Sequence, residues 1–303
     1  MKKLATIGIL MIILGLTMQN KEIILKQLNT FFYPRKEVVL GEKNEYYREY
    51  DFNFVQNTDD FIPENKNDLI NIYYTAINAG KDTFSFYCSE EYESCISDVR
   101  NIANDQTILS DINNFVHPFN GFTHIETEYD SLGEVRITII HSYTEQEIQE
   151  IKAKIEQLKP SLINPNLTPE QNIKTIHDYI INNSKYDSDR SEKNIITYKS
   201  DIAYGPLLQG YGICGGYTDA MQLFLEELGI KNFKISSDSH IWNAVYLNNT
   251  WHHLDLTWDD PITSNKIDVL DHNFFLINTN QLLSIEQTEH NFNQEIYSEL
   301  KQA

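Results

Sequence analysis

The clearest periodicity in the chain lies just after residue 214, where Met221, Phe224, Leu225 and Leu228 recur at helical spacing. Glu226 and Glu227 fall on the other side, and Gly229 stands where a left-handed C-cap closes a helix. Two aromatic-rich runs follow, one ending Val245-Tyr246-Leu247 and one spanning Trp251 through Leu256. Asn248-Asn249 separates them, and asparagine tolerates the positive φ of a tight turn, so the runs read as a hairpin. With a two-residue loop Leu247 faces Thr250. His240 then faces Thr257 and lies diagonal to Asp255 on the same face, at a separation of about 7–8 Å that leaning side chains can close. A three-residue loop would slip the register by one and turn Asp255 to the opposite face.

Upstream the pattern is more mixed. Asp68 to Ala79 reads as a helix ended by Gly80, Thr83–Tyr87 as a strand and Glu91 to Ala103 as a helix. His124–Tyr129 and Glu134–Ser142 pair as a hairpin around Asp130-Ser131-Leu132-Gly133. Thr144 with Glu147 three residues on is a capping box, opening a helix to about Leu158. Lys159-Pro160-Ser161 and Asn164-Pro165-Asn166 then punctuate the chain, and a domain boundary is placed there. Thr168-Pro169-Glu170 caps the next helix, whose apolar side carries Ile173, Ile176, Ile180 and Ile181. Asn273 to Ile277 reads as a further strand on the hairpin sheet, followed by a polar, loosely helical tail. The fold class is α+β, with an N-terminal α+β domain over 21–160 and a second domain over 161–303.

Residues 1–20 stand apart. Lys2 and Lys3 precede a mostly apolar run from Leu4 to Met18, a length that suits a signal-peptide core better than a membrane span. A cleaved signal and an uncleaved signal-anchor both fit, and either places residue 21 onward outside the cytoplasm. Across the 303 residues, 24 Lys and Arg stand against 44 Asp and Glu, a formal charge of −20. That field repels phosphate backbones and excludes nucleic acid as a partner, while leaving cationic peptides or surfaces open. Of three cysteines, Cys88 and Cys95 are close enough for a disulfide outside the cell, or are two reduced thiols at a strand-to-helix junction. Cys214 is the one left over.

Cys214 begins the periodic helix, where unpaired N–H groups and the positive end of the dipole favour a thiolate. Gly212, Gly215 and Gly216 remove bulk around it so that another backbone can approach. A buried structural cysteine at a tight turn is the plainer alternative. The hairpin adds His240, whose second ring nitrogen can be fixed by Asp255 as a general base requires. His252 and His253 with Asp255, Asp259 and Asp260 do not make a metal site, because His253 and Asp255 share a strand face while His252 points to the other; no metal or organic cofactor is expected. His117, beside Pro118 and among aromatics, reads as a packed residue. Trp242 and Trp258 are candidates for shielding the thiolate–imidazole pair.

Gly-Ile-Cys-Gly-Gly-Tyr at 212–217, His-Ile-Trp-Asn at 240–243 and Leu-Asp-Leu-Thr-Trp-Asp-Asp-Pro at 254–261 resemble the transglutaminase-like core of the papain-like cysteine-enzyme superfamily, in its bacterial exported type. The resemblance reaches from Ile176-His177-Asp178-Tyr179-Ile180 and Lys185-Tyr186-Asp187 to Asn273-Phe274-Phe275-Leu276, roughly residues 168 to 292. It implies a nucleophile helix packed on an antiparallel sheet, with Cys214 as nucleophile, His240 as base and Asp255 orienting it. Gly215 stands where bacterial members often carry Gln, and Gln209 and Tyr204 are the candidate side-chain oxyanion donors beside the Cys214 N–H. The implied activity is acyl transfer from a peptide or side-chain amide through a thioester, with hydrolysis preferred over amine transfer. The implied partner is a protein or peptide, including cell-wall peptides. A binding or assembly module at the cell surface that keeps the fold but turns over little is the alternative.

Overall fold

The computed structural model describes residues 37–130, 132–261 and 269–302, so the segment read as an export signal lies outside the described residues. Asn65 opens the first helix by accepting the amides of Asn67 and Asp68, and α1 runs Lys66–Asn78 to a left-handed Gly80. In order there follow β1 (Thr83–Tyr87), α2 (Cys95–Asn104), α3 (Gln106–Asn113), β2 (Phe122–Tyr129) and β3 (Glu134–His141). The chain continues through α4 (Glu145–Leu162), α5 (Pro169–Asn182), β4 (Lys185–Tyr186), α6 (Ser188–Lys193) and β5 (Tyr211–Gly212). Last come α7 (Cys214–Glu227), β6 (Asn232–Ser236), β7 (Ile241–Leu247), β8 (Thr250–Leu254) and α8 (Thr279–Ile285). The α+β reading holds: one antiparallel sheet is ordered β1-β3-β2, another β6-β7-β8, and β4-β5 is a short parallel pair.

The predicted capping boxes at Thr144 with Glu147 and at Thr168 with Gln171 are both formed. Cys88 and Cys95 are joined by a disulfide, with their Cα atoms 5.7 Å apart. His117 is buried and packed as expected: its Nδ1 accepts the Phe119 amide at 3.1 Å, and its ring stacks on Tyr46. Of the residues read as punctuating the chain, Pro160 falls inside α4 and Asn164-Pro165-Asn166 lie in the turn after it. Leu40 to Ala303 forms one compact unit. Asn273 to Ile277 adds no full strand; it meets the sheet through the bridge His253–Ile277 and a bond from the Asp255 amide to Phe274 O at 3.1 Å.

The sheet β6-β7-β8 packs on α7, which is buried on most of its circumference rather than along one stripe. Tyr217, Ala220, Met221, Leu223, Phe224 and Leu225 are all buried, and so are Thr218, Asp219 and Gln222. Thr218 and Asp219 find inward partners. Thr218 Oγ1 donates to Ile241 O at 3.0 Å, and Asp219 takes Lys234 Nζ at 3.0 Å and the Tyr143 hydroxyl at 2.6 Å. Buried polar groups are tolerated because they are paired.

The outer side of β6 is closed by residues from both ends of the unit. Arg48 Nη1 donates to Asn232 O at 3.1 Å, the Lys234 amide donates to Asn114 O at 2.8 Å, and the Ser236 amide donates to the Tyr297 hydroxyl at 3.2 Å. The rings of Phe52, Phe115, Phe233 and Tyr297 pack together under these bonds. Arg48 is buried, donates also to Phe115 O at 2.9 Å, and pairs with Glu226 at the end of α7. Removing it takes the charged partner from Glu226 and a donor from each of two carbonyls. Arg48→Ala is therefore expected to lower the unfolding free energy by about 3 kcal/mol or more in urea titrations. A loss below about 1 kcal/mol, the level of a surface pair, would mean that this guanidinium does not tie the unit together.

Candidate active site

Cys214 is the first residue of α7, and Ile213 before it offers no side-chain acceptor to the amides of the first turn. The sulfur is half-buried and unpaired. The glycines around it carry the close approach that their spacing suggested. A β-carbon at Gly215 would stand 2.7 Å from Asp201 O, and one at Gly216 would collide with Ser200 O. The segment from Ser200 to Ile202 thus lies directly against the start of α7, leaving no room for any side chain at position 215.

The hairpin has the two-residue loop on which the site depends. Leu247 pairs with Thr250, and Asn248 and Asn249 take φ of 53° and 64°, the left-handed values of a type I′ turn. The register leaves His240 just before β7 and Asp255 just after β8, on the same face. His240 Nε2 donates to Asp255 Oδ2 at 2.5 Å, with both groups buried. Cys214 is close enough to the imidazole to act on it by hydrogen bonding and charge. Burial acts to strip the proton from His240, but the charge and hydrogen bond of Asp255, with Cys214, outweigh it and push the imidazole up to about 10. Burial opposes the charge on Asp255 too, yet His240 and His290 hold its carboxyl well below the usual carboxylate range.

Two residues of this site were not picked out from the sequence. His290, fully buried in the stretch read as a polar tail, brings Nε2 to 2.9 Å from Asp255 Oδ2 and Nδ1 to 2.9 Å from Glu286 Oε2. The one signal in the sequence was the i, i+4 spacing of Glu286 and His290. Tyr186, quoted only within a motif, lies close enough to Cys214 to feel the charge of the sulfur; burial raises its hydroxyl, and a bond with Ser191 opposes this. Tyr186 lines a cavity of about 260 Å³ with Thr257, Trp258, Asp260, Pro261 and Glu289. A second cavity of about 420 Å³ reaches Gly215 and Ile241, the chain neighbours of Cys214 and His240, and is lined also by Lys199, Asp201 and Lys234.

The tryptophans divide. Trp258 is half-buried on the smaller cavity and packs on Phe274 and His290. Trp242 is no groove wall: it is fully buried, stacked on the His240 ring at 5.6 Å, and donates Nε1 to His253 Nδ1 at 3.0 Å. His253 then presents Nε2–H to Thr279 Oγ1 at 3.0 Å, and burial, with His290 and His252 nearby, lowers it to about 3. Neither oxyanion candidate is directed at the triad. Tyr204 turns toward α4 and donates its hydroxyl to Glu150 at 2.6 Å, and Gln209 Oε1 accepts the Lys199 amide at 2.8 Å.

Among the described residues, two groups of ligand-type atoms lie within 4.8 Å of one another. One is His240, Asp255 and His290. The other is His177, Asp178 and His272, where the Lys174 ammonium already stands 2.7 Å from Asp178 Oδ2 and 2.6 Å from His272 Nε2. His177 Nε2 lies 3.1 Å from Asp259 Oδ2, an interaction that ties α5 to the turn after β8.

The model of the transglutaminase-like superfamily matches residues 156–256. A solved structure described as that of a "TGase" is similar at 14% identity and a TM-score of 0.34, over 45% of this chain and 45% of that one. A "Putative Cysteine Protease" from Cytophaga hutchinsonii is similar at 15% identity and a TM-score of 0.30, over 49% of this chain and 65% of that one. The chain thus spans less than two thirds of either structure. No curated protein matches. The chain carries a transglutaminase-like domain, and Cys214, His240 and Asp255 all lie within it.

Proposed function

We propose that the protein is an extracytoplasmic cysteine enzyme that cleaves peptide or side-chain amide bonds through a thioester on Cys214. The observation that carries this reading is the His240 ring, bonded to a buried carboxylate and close enough to the Cys214 sulfur for the two to act on each other. A thiolate–imidazolium pair at a helix N-terminus is the arrangement that makes a thiol nucleophilic near neutral pH.

Cys214 Sγ attacks the amide carbonyl carbon, and the developing oxyanion is held by the Cys214 N–H and the Tyr186 hydroxyl. His240 then gives its proton to the leaving nitrogen as the C–N bond breaks, and the amine departs. Water enters, loses a proton to His240 and attacks the thioester; the C–S bond breaks, releasing the acid and restoring the thiolate. Asp255 keeps the ring in one orientation throughout. An amine entering in place of water gives transfer, and hydrolysis is preferred because water is always present. The cavities lined by Gly215 and Ile241, and by Tyr186 and Trp258, offer room for a protein or peptide chain as substrate. The Cys88–Cys95 disulfide supports a location outside the cytoplasm, where such bonds persist.

Cys214→Ala is expected to abolish release of amine from peptide substrates, and His240→Ala to slow it by about 100-fold or more. Mass spectrometry of the products separates hydrolysis from transfer, and full activity in Cys214→Ala would end the nucleophile assignment. In NMR titrations the His240 ring should change charge at about 10. Asp255→Asn removes the negative partner and leaves burial opposed only by Cys214, so the midpoint should fall well below 10 and the charged form be lost at lower pH. A midpoint unmoved by that substitution would rule out Asp255 as the group that holds the ring charged.

A further inference from the structure

Beyond the match at 156–256, the chain returns to the site. Glu286 follows α8 and accepts the amides of Thr288 at 2.8 Å and Glu289 at 3.0 Å, forming a turn that delivers His290 into the core. Ser237, three residues before His240, fastens this turn from the other side by donating its hydroxyl to Glu289 O at 2.5 Å. His290 is enclosed by Phe274, stacked at 5.3 Å, and by Trp242 and Trp258, and stands edge-on to the His240 ring at 5.3 Å.

Hydrogen-bond accounting constrains this ring. Asp255 Oδ2 accepts from His240 and His290, and Oδ1 from the Thr257 amide at 2.9 Å and the Trp258 amide at 3.3 Å. Glu286 already serves two amides as an acceptor, and burial of its carboxyl is outweighed by the bonds from His290, Thr288 and Glu289, which lower it. Both nitrogens of His290 thus meet acceptor carboxylates, a scheme that closes with a hydrogen on each nitrogen and a positive ring.

We propose that Glu286 and His290 form a positioning pair for His240, acting through Asp255. The pair pins the shared oxygen and places a positive charge against it, which weakens the hold of Asp255 on the His240 proton. A base that must release its proton to a leaving group works best when that proton is not held too tightly. The charged groups that face these rings are Asp255, Cys214 and Glu286, with His253 behind and Glu289 at the neighbouring cavity. This deepens the cysteine-enzyme reading and rests on it for its catalytic meaning.

The test uses the full chain with Glu286→Gln and His290→Gln, folding being checked by thermal melting. The NMR midpoint of the His240 ring is followed beside the alkylation of Cys214 by iodoacetamide as a function of pH. Glu286→Gln removes the negative charge that favours the second hydrogen on His290, and His290→Gln removes the ring itself. Each should raise the His240 midpoint by about one unit and carry the alkaline limb of alkylation with it. A midpoint that stays put or falls in whichever variant folds overturns the proposal and leaves the pair a packing element. Alkylation of the wild type that does not change in His240→Ala counts against the cysteine-enzyme reading alone, since the NMR midpoint still decides the pair.

Discussion

A single carboxylate, that of Asp255, holds this site together. It is buried and offers its two oxygens to two imidazoles and two backbone amides. A charge so far from water is costly unless its partners are complete, which makes the geometry of those partners strict. The neighbouring acids repeat the device. Asp259 takes His177 from α5 and the Phe274 amide, and Asp260 takes the Tyr217 hydroxyl of α7 at 2.6 Å. The stretch Asp255 to Asp260, which reads in sequence as a polar strand end and a turn, is thus a row of buried anchors joining two helices, the hairpin and the C-terminal segment.

What pattern could reach and what it could not divide along physical lines. Asn248-Asn249 set the loop length locally, and loop length sets the register, so the approach of His240 to Asp255 followed from a few adjacent residues. Capping boxes and the glycines around Cys214 are local in the same sense. Orientation at a distance was not legible. Tyr204 and Gln209 lie near Cys214 along the chain, yet their side chains serve α4 and the Lys199 amide. His290 and Tyr186 reach the site only through the fold.

Local signals near residue 160 are ambiguous for a similar reason. Proline and serine there suggested a break, but Pro160 lies in the last turns of α4, whose Ile148, Ile151, Ile155 and Leu158 share a core with α5 and α7. Polarity does not mark exposure within α7 either. Thr218 and Asp219 are polar yet buried, because Lys234, Tyr143 and the strand backbone come to meet them.

The closed flank of β6 bears on how a chain can be held. Arg48, Asn114 and Tyr297 occupy its outward carbonyl and amides, and Ile277 and Phe274 cover the far side of the sheet at His253 and Asp255. With those rungs taken on both margins, an extended peptide finds none of them free for pairing as an added strand. Recognition would then fall to side chains and loop backbone around the sulfur, and selectivity would follow the shape and charge of those walls rather than a ladder of main-chain bonds.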